Sequence, residues 1–370
     1  MERMKRSEFR VFLGNSPWSK PGYYGVRAGS RWPHFEEKQL EYMPFPFFLA
    51  YAAAVVEKEG FETLLVDGIA EGIDDDSFFE RIVDFDPALV LLEVSTISIE
   101  TDLAFGRRLR RALGDKAKIA FCGLHNFMYE ADFLKEHEWL DYVLIGEYEY
   151  TLRELCLRLF KGADLGGCRG TIHRSNGKIA VEKRKPLIRN IDELPWPARH
   201  FLPMNNYHDE PGSIPRPSVQ MWASRGCPYG CIFCAWPQIM YGSRKYRTRS
   251  VKDVVDEMEW LVKECGFASV YFDDDTFNIG RERMLKFAAE VKARGIYTPW
   301  AIMARAGASP RCVPARAQPP GRRRGPSRPG RRAPQAGAPP ACRRRPGPPE
   351  ASRRTDPGCW PGTWAGATRR

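Results

Sequence analysis

Three cysteines are the residues of this sequence best suited to chemistry. In the stretch RGCPYGCIFCAW, Cys227, Cys231 and Cys234 have the spacing C-x3-C-x2-C. Clustered thiolates bind soft metals, either as a zinc site or as an iron–sulfur cluster. A structural zinc site closes with four protein ligands, and the further candidates are Cys265, at a predicted helix end, and His208 upstream. Three thiolates instead fit three corners of a [4Fe–4S] cluster whose fourth iron is open to a small molecule or to a distant fourth ligand.

The cysteine stretch lies between a predicted strand and a predicted helix. The strand SVQMWAS leads into it, and the amphipathic helix SVKDVVDEMEWLVKECG follows, with Ser250 as its N-cap. The strand ASVYFDDD, the helix RERMLKFAAEVKARG and the strand TPWAIMA come next. Residues 206–305 therefore predict the first half, β-α-β-α-β, of a (β/α) barrel. The cysteines lie at the carboxyl end of its first strand, on the face where barrels hold their active sites.

Residues 1–160 predict a Rossmann-like domain with a doubly wound parallel sheet, because short apolar strands alternate with helical patterns. The predicted strands cover 10–15, 62–67, 88–95, 117–123 and 141–147, and the predicted helices cover 46–59, 76–84, 99–113, 130–136 and 150–160. Residues 161–205 predict a linker that contains a hairpin around Asn176-Gly177. The first strand is not followed by G-x-G-x-x-G, which argues against a dinucleotide.

The formal charge of +11 does not indicate a nucleic-acid surface, because it comes from one segment. Residues 306–370 contain fifteen arginines and only two acidic residues, whereas the rest of the chain is close to neutral. The longest apolar run, Phe45 to Val56, is too short to cross a bilayer. The N-terminal residues contain no apolar segment of a secretory signal. We therefore expect a cytoplasmic protein, without a membrane partner, whose cysteines stay reduced.

Residues 306–370 are rich in Arg, Pro, Gly and Ala and nearly free of large aliphatic residues, so we predict a disordered tail. These four residue types have GC-rich codons, and the composition changes abruptly after Arg305, in mid-pattern. We interpret the tail as a GC-rich gene read out of frame; a basic arm that binds nucleic acid is the alternative. Since the tail replaces the further strands that a barrel needs, we expect the chain to be unstable and inactive.

The cysteine loop resembles the signature of the radical S-adenosylmethionine (SAM) enzymes in its spacing, in the aromatic Phe233 before the last cysteine, and in the flanking strand and helix. The resemblance implies a [4Fe–4S] cluster on the three cysteines, with SAM on the open iron. An electron from an external donor would then cleave SAM to methionine and a 5′-deoxyadenosyl radical, which takes hydrogen from a substrate. It also implies that the backbone of Phe233 contacts the adenine.

The family has a second SAM-binding element at the end of the second barrel strand. It is often Gly-Gly-Glu, whereas this chain has Asp273, Asp274 and Asp275 there. By position, the resemblance implies that Asp273 or Asp274 accepts hydrogen bonds from the SAM ammonium group. The alternative is a solvated acidic turn that caps the following helix.

The first domain resembles the cobalamin-binding domain that precedes the barrel in a large radical SAM subgroup. The motifs EVSTIS, CGLHN and GEYEYTLREL follow predicted strands, at the sheet edge where a corrin would lie. The candidate cobalamin contacts are Ser95, Thr96, Gly123, His125, Gly146 and Glu147.

The chain lacks D-x-H-x-x-G, so the resemblance gives no axial histidine ligand to cobalt. It implies methyl transfer or related radical chemistry on a small-molecule substrate that the sequence does not identify. Two alternatives stay open: a first domain without a cofactor, and a non-catalytic cobalamin-binding protein with a vestigial cluster loop.

Overall fold

A computed structural model describes residues 5–25, 36–37, 42–208 and 214–306. Its strands are β1 (Arg10–Asn15), β2 (Ser19–Lys20), β3 (Tyr23–Gly25), β4 (Glu36–Glu37), β5 (Glu62–Asp67), β6 (Leu89–Val94), β7 (Lys118–Gly123), β8 (Tyr142–Leu144), β9 (Thr171–Ser175), β10 (Lys178–Val181), β11 (Ser218–Met221), β12 (Ser224–Arg225), β13 (Arg247–Thr248), β14 (Ser269–Phe272) and β15 (Trp300–Ile302). Its α-helices are α1 (Phe47–Lys58), α2 (Gly68–Glu71), α3 (Asp75–Phe85), α4 (Ile99–Leu113), α5 (Ala131–Glu136), α6 (Glu149–Phe160), α7 (Val251–Lys263) and α8 (Arg281–Ala293).

The predictions made for the tail, 306–370, lie outside the described residues except for its first residue. Residues 1–309 form one structural unit. Among the described residues, no helix has the length and apolar character needed to cross a membrane.

The first sheet has seven strands in the order β10-β9-β8-β7-β6-β1-β5. The five strands from β8 to β5 are parallel, as predicted. All six residues of β6 are buried, because helices cover both faces of a doubly wound sheet. The strands β1 and β5 occupy the predicted ranges, and the other three are shorter than predicted.

The prediction that residues 161–205 form a linker is wrong for its first half. The hairpin around Asn176-Gly177 is present, and both residues have positive φ, 48° and 73°, as a tight hairpin turn requires. However, β9 pairs antiparallel with β8, so the hairpin extends the first sheet. The sheet domain therefore continues to Val181 rather than ending at residue 160. An antiparallel edge strand is common on an otherwise parallel sheet.

Helix α1 is buried on nearly every side and connects the two halves of the described chain. Its residues from Phe47 to Val56 are all buried, as expected for a helix that is apolar all round. One side packs on the first sheet and on α6. On another side, the ring of Phe47 stacks on Trp222, just after β11, with 4.2 Å between the ring centroids.

The second sheet is parallel, with the order β11-β14-β15, and α7 and α8 connect its strands. This confirms the predicted β-α-β-α-β arrangement. Ser250 is the N-cap of α7, as predicted, because its hydroxyl accepts a hydrogen bond from the backbone N–H of Asp253 at 3.2 Å. After β11 the chain forms β12, immediately before the cysteine loop. The strand β12 pairs antiparallel with β13, which comes after the loop.

A buried carboxylate on α7 fixes this helix to the strand end that leads to the loop. Glu257 accepts hydrogen bonds from Arg199 at 3.0 Å and from Arg249 at 2.5 Å. The two guanidinium groups also donate to the backbone carbonyls of Gln220 and Trp222, at 2.8 and 2.7 Å. The side chains of Glu257, Arg199 and Arg249 are almost completely buried. Glu257 is the ion-pair partner of Arg199, and Arg249 is also paired with the partly exposed Asp253 at 2.6 Å.

A second buried carboxylate connects the ends of β11 and β14. Asp274 has no exposed surface. It accepts hydrogen bonds from the backbone N–H of Ala223 at 2.8 Å and from the hydroxyl of Ser224. Burial raises the pKa of this carboxyl from 3.8 to about 6, although the two hydrogen bonds oppose the shift.

We expect Glu257→Gln to lower the free energy of unfolding by about 3 to 5 kcal/mol, because it leaves the buried guanidinium of Arg199 without its counter-charge and leaves Arg249 with Asp253 alone. Urea unfolding followed by circular dichroism measures the loss. The matched control is Glu259→Gln on the same helix, whose partners Lys263 and Arg294 are closer to solvent. Equal losses in both variants would contradict this account.

We expect Asp274→Asn to remove a pH dependence of stability. Between pH 4 and pH 6 the folded wild type binds more protons at this site than the unfolded chain, so its free energy of unfolding falls as pH rises. The variant cannot titrate, and its amide can accept from Ala223 and donate to Ser224. From pH 4 to pH 7 the stability of the variant should therefore rise relative to that of the wild type by about 2 kcal/mol. Parallel stability curves would refute this.

Candidate functional site

The cysteine loop begins against the end of β14. The backbone N–H of Gly226 donates to the Asp275 carboxylate at 2.8 Å. Cys227 Sγ lies 3.3 Å from Thr276 Oγ1. Gly226 has φ of +83°, and a Cβ there would lie 2.1 Å from the carbonyl oxygen of Lys245. Only glycine fits this position, so the direction in which the chain enters the loop is fixed.

One side-chain amide closes the loop. Gln238 Nε2 lies within hydrogen-bonding distance of the carbonyl oxygens of Cys231, Ile232 and Cys234, at 3.2, 3.1 and 3.0 Å. The backbone N–H of Cys234 also donates to the carbonyl of Cys231 at 3.2 Å. The Gln238 amide has two N–H groups, so it can donate to two of these three oxygens at a time and links the two ends of the loop without water. Gln238 lies in a single turn of π-helix, Trp236–Met240.

The donor set of the loop fits an iron–sulfur cluster. The thiols of Cys227, Cys231 and Cys234 are free and partly exposed. Burial raises the pKa of Cys234, and the nearby Asp275 and the other two cysteines raise it further. Three soft sulfur ligands on one short loop match the ligand type that iron–sulfur clusters use. In the part of the chain that the structure describes, no three His, Cys, Asp or Glu side chains are grouped around a single metal position.

Two apolar side chains project from the loop into solvent. Ile232 is 93% exposed and Phe233 is 73% exposed. These two neighbouring side chains form a small exposed apolar surface beside the cysteines. The backbone of Phe233 was predicted to contact adenine, and that contact stays a prediction. Ile232 was missed, although it lies between two cysteines, because sequence alone does not show which loop side chains face outward.

The three consecutive aspartates have different surroundings, because successive residues at a strand end point in opposite directions. Asp275 supports the cysteine loop through Gly226. Asp274 is completely buried with its carboxylate on Ala223 and Ser224, so the prediction that it could bind the SAM ammonium is corrected. Asp273 is partly exposed, and the prediction of a SAM contact now concerns this residue alone.

At the carboxyl edge of the first sheet, three predicted contact residues come together after β6 and β7. His125 Nδ1 lies 3.4 Å from Thr96 Oγ1, and the hydroxyl of Ser95 lies 2.9 Å from that of Ser98. Burial lowers the pKa of His125, which favours the neutral imidazole. The structure thus brings Ser95, Thr96 and His125 to one polar edge. Their contact with cobalamin stays a prediction.

Asp102 is a member of this edge that the sequence did not reveal. It is completely buried on α4 and accepts hydrogen bonds from the hydroxyls of Ser16 and Ser98, both at 2.7 Å. Ser16 follows β1, so the carboxylate joins the ends of β1 and β6. The sequence shows an acid and serines near predicted strand ends. It does not show that they meet, because Ser16 and Asp102 are 86 positions apart.

The two predicted glycines are both needed for close packing. Gly123 has φ of +115°, and a Cβ there would lie 2.3 Å from the carbonyl oxygen of Val94. Gly146 has φ of +75°, and a Cβ there would lie 2.7 Å from Arg184 Nη1 and 2.8 Å from the carbonyl oxygen of Met240. The close approach at Gly146 is therefore made by the chain itself, from the segment that follows the cysteine loop.

The prediction that Glu147 contacts cobalamin is corrected, because its carboxylate is occupied by arginine. Arg247 donates to both of its oxygens, at 2.8 and 2.7 Å, and Arg225 approaches to 3.5 Å. The backbone N–H of Ile188 donates to it as well, at 3.2 Å. The side chain of Glu147 is only 3% exposed. The loop after β8 is thus joined by ion pairs to β12 and β13.

Arg225 is the centre of this connection. It donates to Glu149 at 2.6 Å, and its guanidinium carbon lies 4.7 to 5.0 Å from three ring centroids, those of Phe48, Tyr51 and Trp222. Its side chain is 1% exposed. Arginine stacks on aromatic faces and binds carboxylates at the same time. Since Gly226 and Cys227 follow directly, this contact sets the start of the cysteine loop relative to β8.

Comparisons with known proteins agree with both halves of this arrangement. Residues 39–156 match the family described as B12 binding domain. The chain is 32% identical over 260 residues to the uncharacterized methyltransferase PH0819 of Pyrococcus horikoshii, which covers 70% of this chain and 55% of that protein. It is 26% identical over 302 residues to the anaerobic magnesium-protoporphyrin IX monomethyl ester cyclase of Rubrivivax gelatinosus. This match covers 77% of this chain and 49% of that protein. The chain thus spans about half the length of these relatives.

Solved structures show the same fold. The cobalamin-dependent SAM radical enzyme OxsB, with aqua-cobalamin and SAM bound, matches with a TM-score of 0.58 at 17% identity, over 79% of this chain and 38% of that one. The radical SAM methyltransferase TsrM of Kitasatospora setae, with cobalamin and a [4Fe–4S] cluster bound, matches with a TM-score of 0.52 at 19% identity. This match covers 80% of this chain and 51% of that one. The chain thus contains a B12-binding domain and shares the fold of solved radical SAM enzymes that bind cobalamin.

Proposed function

We propose that this chain binds a [4Fe–4S] cluster, SAM and cobalamin, and that it performs a cobalamin-linked radical SAM reaction, most directly a methyl transfer, on a small-molecule substrate. The observation that carries the proposal is the cysteine loop itself. Its three free, partly exposed thiols lie at the carboxyl end of β11, in the same structural unit as the B12-binding domain.

A bound cluster would supply one electron, received from an external donor, to the sulfonium of SAM, which yields methionine and a 5′-deoxyadenosyl radical that takes a hydrogen atom from substrate. The residues of this chain would bind and position. Cys227, Cys231 and Cys234 would hold the cluster, and Gln238 would keep their backbone fixed. Asp273, partly exposed directly after β14, would accept a charge-assisted hydrogen bond from the ammonium group of SAM.

The polar edge at β6 and β7 would hold cobalamin, which carries a methyl group in the proposed reaction. Ser95, Thr96 and His125 would contact the corrin there, with Gly123 keeping the backbone close to β6. His125 would act as a neutral hydrogen-bonding group, because burial lowers its pKa. Relatives named as methyltransferases support methyl transfer, and the relative named as a cyclase supports related ring-forming chemistry.

We expect the chain, reconstituted anaerobically with iron and sulfide, to bind about four iron atoms and to show broad iron–sulfur absorbance. Cys231→Ala should lose both, whereas Cys265→Ala, outside the loop, should keep them. Reduced protein with SAM should then release 5′-deoxyadenosine, measured by chromatography. This release would contradict the inactivity expected because the tail replaces the further barrel strands.

Other outcomes of this experiment would overturn parts of the proposal. Zinc in place of iron, or a cluster retained in Cys231→Ala, would contradict the assignment of the three cysteines. Corrin absorbance without any cluster would favour the non-catalytic cobalamin-binding protein. A fully loaded cluster that does not cleave SAM would contradict the proposed reaction.

We expect Thr96→Trp to weaken binding of hydroxocobalamin by about tenfold or more, because a large ring at the polar edge would occupy the space of the corrin; tenfold corresponds to about 1.4 kcal/mol. Absorbance titration measures the affinity. The control is Glu62→Trp, at the amino end of β5 and exposed, which should bind as the wild type does. Iron content should be unchanged in both. Equal affinity in the two variants would exclude this edge as the corrin site.

A further inference from the structure

We propose that Arg305 sets the reduction potential of the cluster by donating a hydrogen bond to Cys231. Arg305 Nη1 lies 3.5 Å from Cys231 Sγ, a normal distance for a hydrogen bond to sulfur. The inference rests on the proposed function, because it concerns a cluster ligand. It assigns a role to a residue from a third element, the segment after β15, which neither the cysteine motif nor the aspartates indicate.

The backbone of Arg305 is fixed in place. Its N–H donates to Asn278 Oδ1 at 3.0 Å, and its carbonyl oxygen accepts from Asn278 Nδ2 at 2.9 Å. Asn278 follows β14 and is 5% exposed. A buried amide that satisfies both backbone groups of one residue holds that residue as a strand partner would. The position of Arg305 is therefore determined by the barrel and not by the cysteine loop.

The guanidinium of Arg305 is exposed and rests on an aromatic ring of the loop. Its Cζ atom lies 4.0 Å from the ring centroid of Tyr229, which lies between Cys227 and Cys231. Arginine stacks on such a ring while its N–H groups remain free to donate in the plane. One face of the guanidinium thus rests on Tyr229, and one N–H donates to the cysteine sulfur.

A cationic donor to a cluster ligand has a defined effect. Reduction adds an electron to the cluster, and the added negative charge is shared with the thiolate sulfurs. A positive charge and a hydrogen bond at Cys231 Sγ stabilise the reduced form more than the oxidised form, so they raise the reduction potential. Arg305 would thereby make the cluster easier to reduce by the external donor.

Arg244 provides a matched control because it brings the same charge to the same loop. A Cβ at Gly230 would lie 2.4 Å from Arg244 Cζ, so this guanidinium packs on the backbone of the loop. Removal of Arg244 therefore tests the general effect of a nearby positive charge, whereas removal of Arg305 also removes the hydrogen bond to sulfur.

The test is a potentiometric titration of the reconstituted full chain without SAM or cobalamin, in which electron paramagnetic resonance of the reduced cluster gives the midpoint potential. Arg305→Gln should shift the potential to a more negative value. Arg305→Lys, which keeps the charge, should shift it less, and Arg244→Gln should shift it less than Arg305→Gln. Tyr229→Leu removes the supporting ring and should shift it in the same direction, so it replaces Arg305→Gln if that variant fails to bind a cluster.

Each contrary result has one meaning. An unchanged potential in Arg305→Gln at full iron content would overturn the inference and leave the proposed function intact. Equal shifts in Arg305→Gln and Arg244→Gln would also overturn it, because charge alone would then explain the effect. A wild-type chain that binds no cluster would instead overturn the proposed function.

Discussion

The structure depends most on one buried cation, Arg225. Removing a guanidinium from water is costly, and the cost is offset only when its partners are close and well oriented. Glu149 and Glu147 supply the counter-charge, and three aromatic rings enclose the group. Burial in turn raises the pKa of Glu149, and Arg225 opposes that shift. Neither charge is tolerable in this interior without the other, so the two chain segments that carry them must meet.

This requirement explains how two folds can form one functional unit. The carboxylates follow β8 of the B12-binding domain, and Arg225 directly precedes the cysteine loop of the barrel half. A purely apolar contact would tolerate sliding, whereas paired charges with directed hydrogen bonds define one register. Chemistry between two cofactors depends on their separation, because a displacement of about 1 Å can greatly reduce a rate. We infer that the ion pairs are retained for the position they impose.

The sequence predicted the elements well where a single local signal determined them. Apolar strand runs gave β1 and β5 to the residue, and the N-cap at Ser250 and the Asn-Gly turn were correct. The membership of the hairpin in the first sheet was not predicted, because it depends on pairing between β9 and β8. Glu147 and Asp274 were predicted to contact ligands because both follow predicted strands. A carboxylate at a strand end can face either a cofactor or a buried partner of the chain, and the sequence does not distinguish the two cases. The deciding partners lie about 50 to 100 positions away.

The sequence revealed the cysteines that would bind the cluster, but it did not reveal the residues that hold the cysteine loop in place. The cysteines are recognisable because cluster binding restricts both residue type and spacing. Gln238, Asp275 and Asn278 support the site by bonding to backbone atoms, and any backbone can provide such atoms. Such a hydrogen bond does not itself require a residue type at the partner position, and no spacing marks the pair in the sequence. Support of this kind becomes visible only once the strands have been assembled, although it decides how rigidly the cysteines are held.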